Sequence, residues 1–128
     1  NQALKEINKA IEINPEFYGY YFYKGNTLFQ LKSNVQAIDA YNRSIEINSY
    51  NADAFYQKGN IYVEMNDHAE AIESYSMAIM ISDDGAYYSH RGNSKYAIGD
   101  KPGACEDWEQ ANNFGYYEDY EKMKKLCK

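Results

Sequence analysis

The chain has 128 residues, a formal charge of −6 and 45% hydrophobic residues, enough to bury one domain-sized core spanning residues 1–128. A pI near 4.9 excludes the basic stripe that nucleic acid requires, and no apolar run approaches the roughly 20 residues needed to insert in a membrane. Tyrosine is unusually frequent at 15 residues, and its apolar ring with a polar tip suits half-buried interfaces and binding surfaces.

Residues 1–16 place Ala3, Leu4, Ile7, Ala10 and Ile11 on one helical face before Asn14-Pro15 stops the helix. This predicts the second helix of a truncated repeat, in a chain that starts mid-repeat. Residues 18–51 predict two helices. Tyr21, Gly25 and Leu28 mark the first, and Ala37, Ala40, Tyr41 and Ile45 the second, ahead of a turn at Asn48–Asn51. Residues 52–84 keep the frame with Phe55, Gly59, Tyr62, Ala71, Tyr75 and Ala78, turning at Asn66-Asp67 and closing at Ser82-Asp83-Asp84-Gly85. Residues 85–116 repeat it with Tyr88, Gly92, Ala104, Trp108 and Ala111. Pro102 suits a first helical turn, and Phe114-Gly115 a glycine C-cap. Lys95 stands where the other copies have Leu28 and Tyr62, which alters one inter-helix contact. Residues 117–128 predict a capping helix with Tyr120, Met123, Leu126 and Cys127 near one face. Its acidic start and basic end complement the helix dipole.

The glycines recur 34 residues apart from Gly25 to Gly59 and 33 apart from Gly59 to Gly92, a period that means a solenoid. Each faces an alanine (Ala37, Ala71 or Ala104) across its helical hairpin, and the bulky Tyr41, Tyr75 and Trp108 are expected to fill the gap to the next repeat. A helix-interior glycine costs roughly 1 kcal/mol against alanine, so three of them imply a repeated packing demand.

This frame of aromatic, Gly, Ala, aromatic and small residue, in three copies in register, resembles the tetratricopeptide repeat (TPR). The resemblance covers essentially the whole chain and implies an all-α fold, a right-handed α-α superhelix of antiparallel helix pairs with a C-terminal capping helix. The family's proline after the second helix appears only as Pro15; Ser49, Asp83 and Tyr116 replace it later. The stretch Gly103–Ala111, ending in Cys127, also resembles C-terminal repeats of Bacteroidetes-type bacterial proteins of this kind.

The family resemblance further implies a non-catalytic protein–protein interaction scaffold whose first helices line a concave peptide-binding groove. Transferred position by position, the groove residues are Phe22, Tyr23, Asn26, Phe29 and Gln30, then Tyr56, Gln57, Asn60 and Glu64, then His90, Asn93 and Tyr96. Asn26, Asn60 and Asn93 form a ladder in which each amide offers a donor and an acceptor to an extended backbone. The aromatics supply hot-spot walls. The clamp that some members use for a terminal carboxylate is reduced to Asn26, with Phe22, Gln57, Ala86 and His90 at its other positions. Without the cations a carboxylate has nothing to offset its desolvation. The alternative is a structural segment of a longer solenoid, or self-association through the N-terminal helix.

Cys105 and Cys127 lie equidistant from Tyr116, the middle of the last turn, so they face each other across a helix pair. They form either a disulfide, which implies an extracytoplasmic home, or two buried thiols in a reducing cytosol. His68, at a turn, is expected to be solvated. Asp83-Asp84-Gly85 lacks the acidic residue a calcium loop needs. No phosphate loop, nucleophile elbow or paired-histidine zinc motif occurs, so no enzyme, cofactor or metal is expected.

Overall fold

The computed structural model describes residues 1–128 as eight helices and no strand. They are α1 (Gln2–Ile13), α2 (Tyr18–Gln30), α3 (Asn34–Ile47), α4 (Ala52–Glu64), α5 (His68–Ile81), α6 (Gly85–Ala97), α7 (Lys101–Asn113) and α8 (Tyr120–Leu126). Most starts are set by side chains that accept an orphan backbone N–H: Asn51 from Ala54, Asp67 from Glu70, Asp84 from Ala86 and Asp100 from Gly103. Thus Asp84 is a helix cap, and Pro102 sits in the first turn of α7. The turns inside the three hairpins reuse one left-handed position, filled by Lys32, Asn66 and Gly99 at φ 63°, 59° and 93°. The first of these is lysine, a residue type that rarely takes this backbone conformation. Gly115, at φ 84°, follows the α7 C-cap Phe114 as expected.

Helices pair as α2/α3, α4/α5 and α6/α7, and each pair stacks on the next to give an all-α solenoid. The space that a Cβ on Gly25, Gly59 or Gly92 would need belongs to an aromatic ring of the same hairpin. Such a Cβ would lie 2.5 Å from Tyr41, 2.5 Å from Tyr75 and 2.8 Å from Trp108. The side chain nearest each glycine is therefore this ring. Ala37, Ala71 and Ala104 are fully buried, but the glycine's function is to let a ring lie flat on its helix.

The third hairpin departs from the others in its interior. Asp107 is only 3% exposed. Its carboxylate accepts from Arg91 Nε at 2.9 Å and Nη2 at 2.8 Å, and pairs with Lys95 Nζ at 3.1 Å. Lys95 is therefore one member of an ion cluster, and Asp107 is the compensating change.

The capping helix covers only Tyr120–Leu126, leaving residue 117 without regular structure and residues 118–119 in a turn. It packs on α7, with Glu121 in its first turn and Lys124 and Lys125 in its last. Asp119, just before it, is buried and accepts from the Ser89 hydroxyl. The Cys105 and Cys127 sulfurs are bonded, with Cα atoms 5.7 Å apart, closing the end of the solenoid. His68 is not solvated: it is half-buried, with Nδ1 3.3 Å from Ser94 Oγ.

Candidate functional site

The first helices α2, α4 and α6 lie side by side, α2 beside α4 and α4 beside α6. One face of each carries the aromatic and asparagine positions named above. At the centre, Tyr56 and His90 meet across α4 and α6, with rings at 5.3 Å and Oη 3.4 Å from Nε2. His90 Nδ1 lies 2.8 Å from the Ala86 carbonyl. Only a protonated Nδ1 can donate there, and in the neutral ring that leaves Nε2 to accept from the Tyr56 hydroxyl. Tyr56 also packs on Tyr75 and Tyr87. His90 is a packing partner of the wall, held by two neighbours.

The asparagine ladder is tied down on one side. Tyr41 Oη donates to Asn26 Oδ1 at 2.5 Å, Tyr75 Oη to Asn60 Oδ1 at 2.6 Å, and Trp108 Nε1 to Asn93 Oδ1 at 3.1 Å. Burial pushes the Tyr41 and Tyr75 phenols well above their usual range, so both remain neutral donors. The carbonyl expected to serve a ligand is thus occupied in all three repeats. Each asparagine is fixed with its NH2 on the other side. The Asn26 and Asn93 amide nitrogens make no intramolecular hydrogen bond, whereas Asn60 Nδ2 donates to Gln57 Oε1 at 3.3 Å.

At the ends of the face, Phe22 packs on Tyr41 and on Tyr23, which is 57% exposed. Tyr96 packs on Trp108 and is 43% exposed. Phe29 is half-buried against the core, and Gln30 is exposed at the end of α2. Glu64 turns to the edge, 3.4 Å from both Lys32 Nζ and Asn34 Nδ2, so it links two hairpins. Asn93 shares its carbonyl with Lys122 Nζ at 2.7 Å, whose ammonium lies 4.7 Å from the Trp108 ring centroid.

Sequence reasoning missed Tyr87, whose hydroxyl donates to Asp53 at 2.9 Å and ties α6 to α4. It also missed Lys122. A signal existed for the latter: Lys122 stands 14 residues after Trp108, close to the 15 that separate Tyr75 from His90, and covers Trp108 as His90 covers Tyr75 at 5.9 Å. No group of three or more His, Cys, Asp or Glu side chains could hold a metal ion. No helix is long and apolar enough to cross a membrane.

Family models described as TPR repeat and tetratricopeptide repeat match residues 25–66 and 52–84. No curated protein matches the chain. Among solved structures, a MamA crystal structure superposes with TM-score 0.83 at 26% identity, covering 94% of this chain and 69% of its own; a second gives 0.83 at 28%, covering 95% and 66%. The chain therefore spans about two thirds of the MamA structures it matches. The first TPR of Spaghetti (RPAP3), bound to HSP90 peptide SRMEEVD, superposes with TM-score 0.80 at 21% identity over 86% of this chain and 90% of that one. YrrB, a TPR protein with an unusual peptide-binding site, superposes with TM-score 0.81 at 23% identity over 89% and 59%. At those identities the last two speak for the fold alone.

Proposed function

From the TPR-repeat family membership that residues 25–84 support, we propose that this protein is a non-catalytic scaffold. It holds an extended segment of a partner protein on the face shared by α2, α4 and α6, with repeats over residues 18–51, 52–84 and 85–116 as its units. The observation that carries this reading is the fixed pair of amide donors, Asn26 and Asn93. Their carbonyls are anchored by buried aromatics, and their N–H groups have no internal partner. Donors held in place before binding lose little entropy on meeting a backbone carbonyl. Beside them stand the exposed rings of Tyr23 and Tyr96, the residue type enriched in binding hot spots. Asp53, Glu64 and Lys122 already have internal partners, so the ligand is recognised by backbone and apolar side chains. A chain terminus would find no free cation among these positions, and nucleic acid no basic surface.

The test is an unbiased peptide-display selection on the folded protein, followed by affinity measurement on Tyr23→Ala/Tyr96→Ala. Both rings are exposed, so helicity should be retained. Selected peptides are expected to weaken by about tenfold or more, roughly 1.4 kcal/mol. Peptides that bind the double variant unchanged would sink the groove reading.

A second reading is favoured by α1, none of whose residues is buried and whose Ile13 is 85% exposed: self-association, or continuation of the solenoid, through that helix. Sedimentation at rising concentration decides it, since a monomer throughout removes self-association. The Cys105–Cys127 pair supports an extracytoplasmic home over a cytoplasmic one. Alkylation of native protein without reductant should add no mass; two alkyl groups would reverse that assignment. A Bacteroidetes-type bacterial origin rests on the last repeat's sequence.

A further inference from the structure

A cleft of about 480 Å3 opens between α1, α2 and α3. It uses Tyr21, Lys24 and Leu28 of α2, a different face from that of Phe22, Asn26 and Phe29. With Asn8 of α1 and Ala40 of α3, these residues stand, two repeats earlier, where Ser76, Tyr88, Arg91, Lys95 and Asp107 stand in the third hairpin.

There the five make a closed set. Arg91 clasps Asp107 through two nitrogens, its Nη1 donates to Ser76 Oγ at 3.0 Å, Lys95 reaches the same carboxylate at 3.1 Å, and the guanidinium lies 5.6 Å from the Tyr88 ring centroid. In the first hairpin Ala40 replaces the carboxylate and Leu28 the second cation, while Lys24 keeps the place of Arg91. Lys24 makes no ion pair and no hydrogen bond, and neither does the Asn8 side chain. Arg43, also lining the cleft, is engaged by Glu46 at 3.1 Å and Glu16 at 3.6 Å. In the second hairpin the bulkier Tyr62 takes Leu28's place.

We propose that this cleft binds a carboxylate side chain, an Asp or Glu on a partner segment, which takes the position that Asp107 fills internally. Lys24 supplies the charge-assisted hydrogen bond, roughly twice as strong as a neutral one, Asn8 a neutral donor, and Tyr21 the flanking ring. Asp39 also lines the cleft, but an acidic residue at that place is compatible with a neighbouring carboxylate, because Glu106 stands there next to Asp107 in the third hairpin. The site is independent of the groove.

The probe is aspartate capped at both ends, titrated into the protein and followed by amide chemical shifts. Saturable shifts are expected at Asn8, Lys24 and Ala40. They should vanish with capped asparagine, in Lys24→Met, and in Ala40→Asp, which supplies the carboxylate from within. Lys24 is half-exposed, so its variant keeps the fold even if Ala40→Asp does not. Shifts that fail to saturate, or that survive in Lys24→Met, overturn the proposal. Equal saturation by inorganic phosphate overturns the carboxylate assignment in favour of a general anion site. Binding of display-selected groove peptides should be unchanged in Lys24→Met, which separates failure here from failure of the groove reading.

Discussion

The first and third hairpins solve one packing problem in opposite ways. Both lay an aromatic ring on a glycine and anchor an asparagine with it. On another face of the hairpin, the first places Leu28 and Ala40 and leaves a cleft, while the third places Lys95 and Asp107 and fills the corresponding positions with charge. The difference teaches which positions the architecture demands. Glycine, ring and asparagine recur because the helices cannot approach without them. The positions three and fifteen residues after the glycine vary, but they vary together.

The largest expected effect breaks the third solution. Asp107→Ala leaves Arg91 and Lys95 side chains, only 18% and 20% exposed, facing each other without a counter-charge. It should cost about 3–5 kcal/mol of stability in urea denaturation. Adding Arg91→Lys and Lys95→Leu converts the site to the first hairpin's chemistry and should recover most of that loss. A triple variant no more stable than the single would show that the two solutions are not interchangeable.

A smaller effect tests the shared part. Alanine at Gly25 or Gly92 would gain roughly 1 kcal/mol of helix propensity, but its Cβ would meet a ring at 2.5 Å and 2.8 Å. Overpacking of this kind costs about 1–3 kcal/mol. Both variants should therefore lower the denaturation midpoint, and to a similar extent, because the contact is common to both hairpins. A stabilised Gly25→Ala alone would mean that the Tyr41 ring can retreat where the Trp108 ring cannot.

The smallest effect concerns the ring's polar tip. Tyr75→Phe removes one hydrogen bond to Asn60 and should cost about 1 kcal/mol at neutral pH. Burial raises the Tyr41, Tyr75 and Tyr87 phenols above the ordinary tyrosine value. The folded state therefore holds these protons more tightly than the unfolded chain. Their contribution is intact below the unfolded value of about 10 and is lost as pH climbs toward the raised folded values. Thermal melts above pH 10 should thus decline, and more shallowly in Tyr75→Phe. Parallel decline in both proteins would place the alkaline sensitivity elsewhere.

Much of the fold was legible because its marks are periodic. Gly25, Gly59 and Gly92 announce the repeat, Asp67 and Asp100 cap helices as their types suggest, and Pro102 and Gly115 bracket α7. The candidate groove was legible only as positions. That Asn26, Asn60 and Asn93 point along one face follows from their register. That their carbonyls are already bonded to Tyr41, Tyr75 and Trp108 does not, because the bond joins two helices and depends on their separation to a fraction of an ångström. Glu64 and His68 illustrate the same point. Glu64 was expected in the groove and His68 in solvent, and both found partners on a neighbouring hairpin.

The sequence by itself determined that this protein is a helical solenoid, how many hairpins it has, and which cysteines can meet at its end. Those features rest on local periodicity and on spacing across a turn, which a linear chain encodes directly. Tertiary structure alone decided what the three glycine turns are for. Each glycine opens the room for a ring, each ring locks an asparagine, and on another face the corresponding positions are open in the first hairpin and filled in the third. Such outcomes depend on volume and hydrogen-bond geometry between helices, and neither quantity exists until the helices have packed.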